Sequence, residues 1–139
     1  MNKHRQSGVA LLEALIATLI LAIGLLGAIG MQARAFSALA DAGMRAEATM
    51  ASEKLLAQMT LDQLNLASYA YSGSGTPSTA VSSWITDTRS AIPGAGLIVT
   101  VDAVPATTRK VVKITISWLR KTGGQANKHV VTSYIANSQ

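Results

Sequence analysis

The chain contains no cysteine. That excludes a disulfide, a thiol nucleophile and a cysteine-ligated metal, so the fold must hold by packing alone. Aromatic residues are 4% of the total, which limits how large a core the chain can fill. All three prolines, Pro77, Pro93 and Pro105, fall in the second half, so nothing earlier interrupts a helix. Acids stop at Asp102. Between Val9 and Met31 the only ionisable side chain is Glu13, and Thr18 is the only other polar one.

That apolar run is the dominant feature present. At 1.5 Å per residue its 23 residues make about 34 Å of helix, enough to cross the hydrocarbon core of a bilayer. Lys3 and Arg5 precede it with no acid nearby, which predicts a cytoplasmic N-terminus and a C-terminal domain across the membrane. A carboxylate in such a run is costly and implies a partner. Gly24, Gly27 and Gly30 recur every third residue. They lower helix propensity by nearly 1 kcal/mol each relative to alanine, and they also permit close approach of neighbouring helices. Set against a membrane span is an ordinary secretory signal peptide cut after Ala38-Leu39-Ala40. The run is too long for one, Glu13 sits inside it, and Arg34 intervenes before that site.

Helical text continues past Met31, from Gln32 to about Asp62, rich in Ala, Leu, Met, Glu, Lys and Gln. Phe36, Ala40, Met44, Ala48, Ala51, Leu55 and Met59 trace an apolar stripe, with Arg34, Asp41, Arg45, Glu53 and Asp62 largely off it. The expectation is one helix of roughly 54 residues, on the order of 80 Å long, whose outer half needs a surface to lie on. Residues 63–96 read as a connecting loop region, polar from Ser68 to Ser83. Trp84, Ile85 and Ile92 pin it to the core, and a short helical turn is allowed around Ser83 to Ser90.

Three strand signals follow. Leu97, Val99 and Val101 alternate with Ile98, Thr100 and Asp102. Val112, Ile114, Ile116 and Trp118 alternate with Val111, Lys113, Thr115 and Ser117, the clearest period of two in the chain. The third runs from about His129 to Ile135. Pro105 to Lys110 and Lys121 to Lys128 are the turns, Gly123 and Gly124 serving the second. The fold class expected is α+β: a long N-terminal transmembrane and amphipathic helix packed on a small antiparallel sheet of about three strands. The expected division is residues 1–8, then 9–31 and 32–62 as the two halves of the helix, 63–96 as connector and 97–139 as sheet.

The start of the chain resembles the precursors of type IV pilins and pseudopilins. The residues that carry the likeness are a basic leader ending at Gly8, apolar Val9, Glu13 at the fifth place beyond, and the unbroken apolar helix. The resemblance implies cleavage by a prepilin peptidase between Gly8 and Val9, followed by N-methylation of Val9. It implies that Glu13 meets the new amine of a neighbouring subunit and sets the register of a helix bundle. It also implies that the helix loosens near Gly24, Gly27 and Gly30 on packing. Partners would be other pilins and minor pilins and the inner-membrane pilus assembly platform. The chain would sit in the inner membrane as a single-pass protein and then in the pilus at the cell surface. Lacking cysteine, it cannot close the C-terminal disulfide loop found in many major pilins. The Gly-Val-Ala-Leu-Leu-Glu-Ala start, and the Trp-ended strand followed by a Gly loop and a Val-Val-Thr strand, resemble more loosely the minor pilins of the PilV class. Two other readings stay open: a minor pseudopilin of a type II secretion system, and a membrane-anchored periplasmic binding module that does not polymerise.

Catalytic chemistry is not indicated. His4 and His129 are isolated, and Asp41, Glu47, Glu53, Asp62, Asp87 and Asp102 lack paired spacing. No phosphate-binding glycine loop, nucleophile elbow or metal-ligand cluster is present, so neither an enzyme nor a cofactor is expected. Arg109, Lys110, Lys113, Arg120, Lys121 and Lys128 form a basic last third in a chain of net charge +5. With no aromatic interleaving visible, a sheet edge kept soluble by cations is preferred there over a nucleic-acid surface.

Overall fold

The computed structural model describes residues 7–119 and 125–136. The chain divides into two compact units, Met1–Ala40 and Asp41–Gln139. One helix, α1, runs Ser7–Leu61, 55 residues, close to the expected 9–62. In the first unit every residue from Gly8 to Ala40 is exposed. The Thr18 hydroxyl donates to the Leu15 carbonyl at 2.9 Å, so its polar group is satisfied within the helix. The helix is continuous through Gly24, Gly27 and Gly30, and a Cβ at any of them would meet no side chain within 4 Å.

In the second unit the stripe on α1 meets the rest of the chain. Ala48, Leu55 and Met59 are fully buried, with Met44, Ala51 and Leu56 packed against the same core. Phe36 and Ala40, expected on that stripe, are exposed. The covered stretch starts only at Met44. Ser52 lies on the buried face too, and its hydroxyl donates to the Ala48 carbonyl at 2.8 Å.

The segment expected as a connecting loop is largely structured. A 3-10 run spans Gln63–Tyr69 and α2 spans Thr79–Ala91. Val81, Trp84, Ile85 and Thr88 recur at three- and four-residue steps and are buried, so one apolar face holds α2 in place despite poor helix formers elsewhere. The Trp84 indole N–H donates to the Ala51 carbonyl of α1 at 2.8 Å, joining the two helices. Residues 70–78 and 92–95 remain irregular. Even in the first of these, Tyr71 exchanges two backbone hydrogen bonds with Val99, at 2.8 and 2.9 Å. Gly73 has a positive φ of 94°, and a Cβ on it would come within 3.2 Å of the Leu97 carbonyl oxygen.

The strands are β1 Gly96–Ala103, β2 Arg109–Trp118 and β3 Asn127–Ala136, antiparallel in the order β1-β2-β3. Arg109 and Lys110 therefore lie in β2 rather than in the preceding turn, which Val104 closes by donating its N–H to the Arg109 carbonyl. Of the expected Lys121 to Lys128 turn, residues 121–124, Gly123 and Gly124 among them, lie outside the described residues, and Asn127 and Lys128 belong to β3 rather than to the turn. Leu97, Val99, Val112, Ile114, Ile116 and Trp118 are buried, as their alternation predicts. On β3 only Ile135 is buried, and His129, Val131 and Ser133 on the same face stay half-covered. The helical layer thus covers β1 and β2 more fully than β3.

Candidate functional site

Val9, Leu12, Glu13, Ile16, Ala17 and Ile20 line one face of the first turns of α1. The four-residue step from Val9 puts Glu13 one turn above it. Among the described residues Glu13 has neither an ion-pair nor a hydrogen-bond partner. It is an acid on the stretch of α1, from Gly8 to Ala40, whose residues are all exposed. Gly8 lies inside the same helix.

The second unit holds its charges differently. Arg45 on α1 bonds Asp41 one turn back at 3.1 Å and also donates to the Asn127 side-chain oxygen at the start of β3, at 3.1 Å. Lys54 of α1 pairs with Asp87 of α2 at 2.6 Å. Both lie on a shallow groove of about 190 Å³ with Glu47, Met50, Trp84 and Thr88. The Tyr69 hydroxyl donates to Asp62 at 3.2 Å. Burial first, and then that carboxylate, raise the Tyr69 pKa above its usual 10.0. Arg45 and Asp41 are one turn apart within α1, whereas the other pairs join different elements or a helix end and have no signature in residue order.

The basic residues split by strand parity. Arg109 and Lys113 lie on the outer face of β2 and Lys128 on that of β3, whereas Lys110 falls on the opposite face. Arg120 and Lys121 lie outside the described residues. The register also places an aromatic side chain where the sequence showed none. Tyr134 pairs with Val111, midway between Arg109 and Lys113, and is 65% exposed. No group of three or more His, Asp or Glu that could hold a metal ion occurs among the described residues.

Only α1, among the described helices, is long and apolar enough to cross a membrane, with a mean hydropathy of 2.6 over its best window and none of that window buried. Residues 3–29 match the family model for the prokaryotic N-terminal methylation motif. The match spans Gly8, Val9 and Glu13 and most of the apolar run. That motif supports a pilin-like or pseudopilin protein anchored by its N-terminal helix, a structural and not an enzymatic class. No curated protein and no solved structure matches the chain.

Proposed function

We propose that the chain is a minor type IV pilin, of the PilV class, that enters or initiates a pilus. Its leader is removed between Gly8 and Val9, and Val9 is N-methylated. The Glu13 carboxylate then pairs with the free amine of an adjacent subunit, fixing how the helices stagger. The C-terminal domain faces the periplasm before assembly and the outside afterwards. The observation that carries this reading is the conjunction of the methylation motif with a bare apolar helix that has one unpaired acid. A carboxylate without a partner in a hydrocarbon surrounding is costly, so the isolated chain is incomplete until a neighbour supplies a cation. The covered stripe from Met44 onward leaves the second unit whole when the bare helix joins a bundle.

Mass spectrometry of the membrane-extracted chain tests the processing step. The expected mature N-terminus is N-methylated Val9. A chain that retains Met1 or begins at Asp41 overturns the proposal. Glu13→Gln is expected to insert in the membrane normally and to be missing from sheared filaments. Its incorporation at the wild-type level removes the register role.

A further inference from the structure

The outer face of the sheet carries more than cations. Ile98, Val130 and Tyr134 are exposed there, 40%, 42% and 65% respectively, alongside Arg109, Lys113 and Lys128. Register aligns them into rows: Ile98 with Thr115 and Val130, Thr100 with Lys113 and Thr132, Asp102 with Val111 and Tyr134. Lysines alone would keep a sheet soluble, but they give no reason for three large apolar side chains in their midst. From the strand rise, Arg109 and Lys113 stand about 14 Å apart along β2, and Lys128 lies about as far again across the face. Tyr134 sits diagonally next to the first two, within reach of a long side chain.

We propose that this face binds single-stranded nucleic acid, with Arg109, Lys113 and Lys128 on phosphates and a base stacked on Tyr134. Charge complementarity selects a polyanion. A second copy of the chain offers little to match three cations. Asp41 and Asp87 are tied up in ion pairs, and Asp62 bonds Asn65 and Tyr69. Only Glu47 and Glu53 of the helical layer are left without a partner among the described residues. Apolar and aromatic side chains between the cations select a strand with unstacked bases, since a duplex shows a flat surface only its phosphates. Asp102, at the β1 end of the Tyr134 row, is the one acid on this face. It lies about 10 Å from Tyr134, two strand spacings away, and marks the limit of the track.

Fluorescence anisotropy of a labelled oligothymidine with the full chain in detergent tests this, using unassembled protein so that the result does not depend on filament formation. Log affinity is expected to fall with log salt at a slope near −2, from about 0.7 per phosphate contact over three contacts. Lys113→Gln, Lys128→Gln or Arg109→Gln should each reduce that slope by about 0.7. Tyr134→Ala should weaken binding by about tenfold at an unchanged slope, the size of one lost base stack. These positions are exposed or on the outer face, so the variants keep the core intact. Lys54→Gln, on the helical layer, should bind as wild type. No binding of the oligonucleotide at about 50 mM salt overturns the proposal, since phosphate contacts are strongest there. So does tighter binding of duplex DNA or of a sulfated polysaccharide that is indifferent to Tyr134→Ala.

Discussion

From Gly8 to Ala40 the helix leaves every side chain exposed, and those side chains are almost all apolar. Beyond Met44 the same helix hides an apolar residue every three or four positions and turns charged ones outward, with Arg45, Glu53 and Lys54 exposed. Both stretches are helical for the same local reasons, so propensity does not distinguish them. They differ in what satisfies their surface. The later stretch is answered by α2, β1 and β2 within the chain. Among the described residues nothing covers the earlier one, which fits a segment whose solvent is lipid or other helices.

Substitutions on either side of Ala40 sharpen the contrast. The largest effect is expected for Ile114→Ala, where a fully buried side chain is removed from the centre of β2. The loss is about 3 kcal/mol, read as a lower urea midpoint, while Leu19→Ala on the bare stretch leaves that midpoint unchanged. Trp84→Phe keeps most of the apolar contact but deletes the donor to the Ala51 carbonyl. It should cost about 1 kcal/mol and speed amide exchange in α2 before β2.

Tyr69 sets a dependence on alkali. Its folded pKa is raised above the unfolded value, so the neutral phenol contributes fully below about pH 10. That contribution is lost as pH rises through the folded pKa. Stability of the second unit should therefore fall above pH 10, and Tyr69→Phe should flatten that part of the profile. The smallest effect belongs to Lys54→Ala. Its ion pair with Asp87 is more than half exposed, so the change should stay within about 0.5 kcal/mol by urea titration.

Much of this architecture is legible in residue order. The period of two in β2 identified its buried face, because Val112, Ile114, Ile116 and Trp118 alternate without exception. The long helix needed only the absence of proline and the stripe from Met44 to Met59. α2 was hidden by composition: Ser and Thr are poor helix formers, and four buried positions outweigh them only when a core is there to receive them. Phe36 and Ala40 fit the stripe by spacing, but spacing cannot say where the covering layer ends. The motif at the N-terminus is local in sequence, so Gly8, Val9 and Glu13 stood out at once. The cation face was not local. Tyr134 is 21 residues from Lys113, and only the β2–β3 register brings it between Lys113 and Arg109.

Every ultraviolet chromophore of consequence lies past Ala40. Trp84 and Trp118 are each 1% exposed, and the tyrosines are Tyr69, Tyr71 and Tyr134. Intrinsic fluorescence therefore reports on the second unit of this molecule and is blind to the first. Unfolding of the sheet will be bright, whereas insertion or bundling of the N-terminal rod will pass optically silent unless a label is placed on it.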